Sequence, residues 1–84
     1  MKTTTTTYSE IAANYEVKRS EKAICLNLPV SWNDNVYARD IWFPLSVIKE
    51  QLANGHYMIA DWFLNKMEDD RAFHGYRMKF ETRF

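Results

Sequence analysis

Cysteine occurs once in this 84-residue chain, at Cys25, so no disulfide can form within it. Secreted domains of this size generally depend on several such cross-links, and a lone thiol therefore points to an intracellular protein. No run of about 18 apolar residues is present, so no membrane-spanning helix is expected. The N-terminus reads Met1-Lys2 followed by Thr3 to Thr7, with no apolar stretch behind it, so no signal peptide is expected and the cytoplasm is the expected location. Neither sign of charge prevails: 11 Lys and Arg stand against 11 Asp and Glu. That balance argues against a dedicated nucleic-acid binder, which carries a basic excess because phosphate neutralisation dominates its affinity.

Chemistry-bearing residues are equally sparse. His56 and His74 are the only histidines. Together with Cys25, Asp61, Asp69 or Asp70 they stand in no recognised metal-ligand spacing. Cys25 lies in an apolar stretch, where an inert buried thiol is the usual outcome. We therefore expect no metal, no cofactor and no enzymatic activity.

Aromatics, in contrast, are plentiful: three Trp, five Tyr and five Phe make up 15% of the chain. Each buries on the order of 150–250 Å², so they can supply a dense core and still leave some surface outside as an interaction site. The length allows one domain.

The patterning predicts a flexible tail over residues 1–7 and a single α+β domain over residues 8–84. Ser9 is a candidate cap for a short helix over residues 10–15, in which Ile11 and Tyr15 share a face. Residues 16–28 then alternate, with Ile24, Leu26 and Leu28 on one side and Ala23, Cys25 and Asn27 on the other, which predicts a strand ended by Pro29. Residues 31–35 carry turn chemistry, and a second strand over residues 36–43 ends at Pro44. Ser46 is a candidate cap for a helix running to Asn54-Gly55, with Ile48 and Leu52 on its apolar face. Residues 56–59 read as a short extended piece, and Asp61 opens a helix with Phe63 and Met67 aligned. Residues 68–71 would close it as a solvated end. From Tyr76 to Phe84 apolar and charged residues alternate strictly, predicting a half-buried strand after a turn at Gly75. The expected fold is thus a small antiparallel sheet of at least three strands with two or three short helices packed on one face.

Two surfaces are candidates for binding. Glu68, Asp69 and Asp70 cluster beside Arg71, and Asp34 and Asp40 would extend an acidic face able to imitate phosphates. Trp32, in the polar turn, either folds back onto the core or anchors such an interface; Trp42 and Trp62 read as core or half-buried. The alternative surface is basic: Arg77, Lys79 and Arg83 on the outward face of the last strand, a nucleic-acid face if aromatics share it.

Three segments carry a resemblance: Glu21-Lys22-Ala23-Ile24, then Ile41-Trp42-Phe43-Pro44-Leu45-Ser46-Val47-Ile48, then Asp61-Trp62-Phe63-Leu64-Asn65-Lys66. This pattern resembles a group of short proteins encoded by phages and prophages. The resemblance implies a mobile-element origin, and short phage proteins of this kind often inhibit host defence, anti-CRISPR proteins among them. The expected function is therefore stoichiometric binding to a host protein or ribonucleoprotein complex; the alternative is a nucleic-acid accessory role for the basic face. Homodimerisation through the edge of the last strand is a further expectation.

Overall fold

A computed structural model describes residues 5–84. Of the tail expected over residues 1–7, residues 1–4 lie outside the described residues, and residues 5–7 are exposed without regular structure. Seven strands and one α-helix follow: β1 (Tyr8–Ile11), β2 (Tyr15–Arg19), β3 (Ala23–Trp32), β4 (Asn35–Pro44), a 3-10 turn (Leu45–Val47), β5 (Ile48–Gln51), β6 (Tyr57–Ala60), α1 (Asp61–Asp70) and β7 (Lys79–Phe80). The α+β class and the antiparallel pairing are as expected. One α-helix and a 3-10 turn take the place of the two or three helices.

β3 organises the larger sheet. Its ten residues pair along their whole length with β4, from Ala23 opposite Pro44 to Trp32 opposite Asn35. Only residues 33 and 34 are left between the strands, and both take left-handed backbone, with φ of 47° and 67°. Asn and Asp tolerate that conformation better than other non-glycine residues, and its twist matches that of the flanking strands. The other edge of β3 is shared: β2 occupies residues 24–27, and β7 pairs with Val30 and Ser31. Between them lies Pro29, inside the strand rather than at its end. The Pro29 carbonyl accepts from the Glu81 N–H at 3.0 Å, and its missing donor falls where β2 has ended and β7 begins. Such a gap in the ladder is where a strand admits proline.

The second sheet has the order β1-β6-β5. Here two expected helices are strands. Ser9 caps nothing of its own segment; its hydroxyl donates to the Asp61 carboxylate, and β1 pairs with β6 from Tyr8 opposite Ala60 to Ile11 opposite Tyr57. Residues 46–54 have helix-forming composition, but β5 is held extended against β6, and the chain reverses through Gly55 at φ 89°. Pairing with a buried neighbour outweighs local propensity here. Leu52 and His56 close that turn with an N–H···O bond of 2.7 Å.

The core lies between the sheets and α1. It joins Ile24, Leu26, Leu28 and Val30 of β3, Ile41 and Phe43 of β4, Ile11, Tyr57 and Ile59 of the second sheet, and Phe63 and Leu64 of the helix. Trp62, expected in or near that core, points out and is 57% exposed. On the outer face of the larger sheet, Lys18, Cys25 and Trp42 form one cross-strand row. The Lys18 ammonium lies 5.5 Å from the Trp42 ring centroid, and Cys25 is buried between them.

The nine-residue last strand shrinks to Lys79–Phe80. Its alternation survives in the burial of Met78 and Phe80, whereas Tyr76 and Phe84 are exposed. Beyond β7 the chain turns onto the other sheet: the Ala12 N–H donates to the Thr82 carbonyl at 3.1 Å, and the Phe84 N–H to that of Glu10 at 2.8 Å. The C-terminal segment therefore joins both sheets. Among the described residues, the longest edge without a partner strand is that of β4, not of the last strand.

Phe80→Ala should remove about 3–5 kcal/mol of stability, because its ring fills the core beside Phe43 at the junction of the sheets. Urea unfolding of the variant and the parent checks this, and a loss under about 1 kcal/mol would mean that the C-terminal segment is not part of the cooperative unit.

Candidate functional site

The β3–β4 hairpin is longer than the core beneath it. Even-numbered residues of β3 and odd-numbered residues of β4 share the inner face, and near the turn that face carries Trp32, Tyr37 and Arg39. Opposite them is the loop after α1. Phe73 and Tyr76 exchange N–H···O bonds of 2.8 and 2.9 Å across a second two-residue turn, in which His74 and Gly75 have φ of 49° and 82°. Two tight turns thus face each other, and an open cleft of about 590 Å³ lies between them.

Trp32 holds the cleft together. Its indole Nε1 donates to the Arg71 carbonyl at 2.8 Å, satisfying an acceptor just beyond the end of the helix. Its ring lies edge-on to Phe73 at 6.4 Å and tilted on Tyr37 at 5.7 Å. The Arg39 guanidinium stacks over Tyr37 at 5.0 Å and lies 5.5 Å from the Trp32 ring. Tyr37, Phe73 and Tyr76 are all exposed. Arg39, Arg71 and His74 are its basic residues, and none of the described residues lining it is a carboxylate.

The residues singled out by sequence divide in two. Trp32 and Arg71 belong to this cleft, and Trp32 both packs against the core and faces the cleft. Asp34 sits exposed at the tip of the first turn. Asp40 lies on the opposite face of the sheet, where it accepts from the Asn27 side chain at 2.8 Å. The remaining carboxylates are committed to other partners. Glu68, expected in a solvated helix end, is buried with its side chain 5% exposed. It accepts from the Phe80 N–H at 3.2 Å and pairs with Arg83 at 3.2 Å and Arg77 at 3.3 Å. Asp69 pairs with Arg77 and Asp70 with Lys66 at 3.4 Å. The acidic and basic candidate faces are therefore largely each other's counter-ions. Arg83 also reaches Asp61 at 3.0 Å, which leaves Lys79, of the expected basic face, exposed and without an ion pair among the described residues.

Asp61 sits at the first turn of α1, where a negative charge suits the helix dipole. Hydroxyls of Ser9 and Thr7, with Arg83 after them, hold its carboxyl below the ordinary aspartate range. His56 bonds the Glu10 carboxylate, lowering that group as well, and stacks on Phe84 at 5.9 Å. Cys25 and His74 lie in separate places, the first in the outer face of the sheet and the second in the cleft.

The sequence singles out neither Tyr37, Arg39 nor Phe73, and it offers His74 only as a candidate metal ligand and Tyr76 only in the last strand, although a signal for Tyr37 and Arg39 exists. Counting back from a two-residue turn at Asn33-Asp34 pairs Trp32 with Asn35, Val30 with Tyr37 and Leu28 with Arg39. That register alone puts Tyr37 and Arg39 on the face of Trp32. The placement of the 71–76 loop opposite them has no local signal. Compared with known proteins, the chain matches no family model, no curated protein and no solved structure.

Two outcomes follow from the ion-pair network. Glu68→Ala leaves the buried Phe80 N–H without its acceptor and takes one carboxylate each from Arg77 and Arg83, which keep Asp69 and Asp61. It should cost about 1–3 kcal/mol in chemical unfolding, whereas Asp69→Ala at the surface should cost under about 1 kcal/mol. Because the Asp61 carboxyl is lowered on folding, its contribution is complete above the unfolded aspartate value of about 4 and is lost as pH falls through the lower folded value. Stability measured from pH 6 down to pH 2 should therefore fall less steeply below about pH 4 in Asp61→Asn than in the parent.

Proposed function

We propose that this protein acts by stoichiometric binding to another protein, and that the cleft centred on Trp32 is its contact surface. The single observation that carries the reading is the gathering of Trp32, Tyr37, Arg39, Phe73 and Tyr76 on one exposed face. Trp, Tyr and Arg dominate the energetics of protein interfaces, because they bury much area and still offer a donor or a charge. A twisted hairpin closed by a tight turn holds these side chains in place before binding, which limits the ordering cost. The resemblance to short phage proteins directs the choice of target: an inhibitor of a host defence complex, of anti-CRISPR type, working in the cytoplasm of the host.

The rival reading, a nucleic-acid accessory role for Arg77, Lys79 and Arg83, loses support because two of the three are engaged by carboxylates within the chain. The proposed role needs no metal, no cofactor and no catalytic step.

The test is an affinity capture from host lysate with and without nuclease, using the parent, Trp32→Ala and Tyr37→Ala. We expect a protein or ribonucleoprotein partner at stoichiometric yield that survives nuclease. Both substitutions should weaken its binding, Trp32→Ala by at least about 2 kcal/mol or roughly thirtyfold. Recovery of nucleic acid alone, or a protein partner indifferent to both substitutions, would refute the assignment of the cleft.

A further inference from the structure

The outer edge of β4 supplies a second set of binding groups beside the cleft. Around a two-residue turn the closing pair, Trp32 and Asn35, is hydrogen-bonded, and hydrogen-bonded pairs then recur at every second position. Odd-numbered residues of β4 accordingly direct their backbone groups to β3. Val36, Ala38, Asp40 and Trp42 direct theirs away from it. The opposite edge of β3 confirms the parity, because there the odd-numbered carbonyls of Asn27 and Pro29 accept from Asn14 and Glu81 at 2.8 and 3.0 Å. No described strand lies beyond β4. Among the described residues, only the Ala38 carbonyl has a partner on that side, the Arg39 side chain of its own strand at 2.9 Å. An edge of this length without a covering element is a template for another extended chain.

Resting on the binding role proposed above, we infer that the occupant is an extended, carboxylate-bearing segment of the partner protein, added as a strand to β4. Its backbone pairs with Val36, Ala38, Asp40 and Trp42. Alternate side chains then fall on the two faces of the sheet. Those on the inner face enter the cleft, where Arg39, Arg71 and His74 meet no carboxylate among the described residues, so acidic side chains are complementary there. Those on the outer face lie along Val36, Ala38, Asp40 and Trp42. Val36 and Trp42 are exposed and apolar and Asp40 is held by the Asn27 side chain, so apolar side chains suit the positions beside Val36 and Trp42. The recognised pattern is acidic and apolar in alternation. Single-stranded nucleic acid would find stacking surfaces in the same cleft, but its backbone has no N–H and C=O groups spaced to complete the edge.

The probe is a displayed library of random peptides selected on the immobilised full chain, with the selected peptides resynthesised and measured by fluorescence anisotropy. Selected peptides should carry acidic residues at alternate positions and should shift the amide resonances of Val36, Ala38, Asp40 and Trp42. Ala38→Pro removes an outward donor while leaving every donor to β3 in place, and the extended Tyr37 before it suits a following proline. It should weaken binding about tenfold or more, the weight of one lost backbone hydrogen bond in a dry interface. Arg39→Glu should do so by charge reversal, while Lys66→Ala on the helix should not. Amide dispersion of each variant verifies that it is folded, and Arg39→Glu keeps the test open if Ala38→Pro is not. Peptides weakened by Trp32→Ala but indifferent to Ala38→Pro would overturn strand addition and leave the cleft assignment standing. A library that enriches no alternating acidic pattern, displacement of the peptides by oligodeoxythymidylate, or a parent protein whose dimer is abolished by Ala38→Pro would each overturn the inference.

Discussion

The burial of one carboxylate, Glu68, governs how the rest of this protein is assembled. A charge taken out of water must be met by opposite charge and by donors, or the fold that buries it is lost. Glu68 is met by Arg83, Arg77 and the Phe80 N–H, and its own carbonyl accepts the Met78 N–H at 3.2 Å. Every one of those partners belongs to the C-terminal segment. The helix is thereby tied to the stretch that also pairs with β3 and bridges to β1. Remove the carboxylate and the helix loses its buried anchor on that segment, although the carboxylate belongs to neither sheet.

The same arrangement decides which side chains are left without partners in the chain. Glu68, Asp69, Arg77 and Arg83, which look available in the sequence, are consumed in holding the C-terminal segment down. The overhanging end of the β3–β4 hairpin and the loop that faces it stay exposed and free of such pairing. Trp32 connects the two requirements, since its indole N–H satisfies the end of the helix and its ring floors the cleft. Shape at this site comes from backbone, through two turns with left-handed residues, and the side chains add chemistry to a form already set.

Legibility followed the range of the interactions. The strand over residues 36–43 ending at Pro44, the extended piece before Asp61 and the helix from Asp61 rest on local patterns, and they stand in the structure where the patterns put them. The buried Met78 and Phe80 were legible as alternation, although only two residues there form a strand. Ser9 and Ser46 misled because a serine before an apolar pair is a helix cap only if nothing distant competes. Ser9 finds Asp61, 52 positions away, and residues 48–51 find β6. Glu68 misled for the same reason: no local signal distinguishes a carboxylate at a wet helix end from one awaiting an arginine elsewhere in the chain. Half of the cleft was within reach of the register argument, and the other half depends on where the non-local contacts carry a loop.

Pro29 divides one edge of β3 between a strand close to it in sequence and a segment from far along the chain. The neighbouring contacts of β2 and β4 close short loops, which costs little chain entropy. The final contacts instead bring together groups such as Ala12 and Thr82, 70 positions apart. Formation of the hairpins and closure of the domain are thus separate in contact order, the first local and fast, the second non-local and slow. The proline leaves the ladder on that edge discontinuous, so opening of the late half does not have to propagate into the early half. The hairpin half of the cleft, with Trp32, Tyr37 and Arg39, is therefore set by local contacts, whereas the 71–76 loop that faces it is placed only when the non-local contacts close.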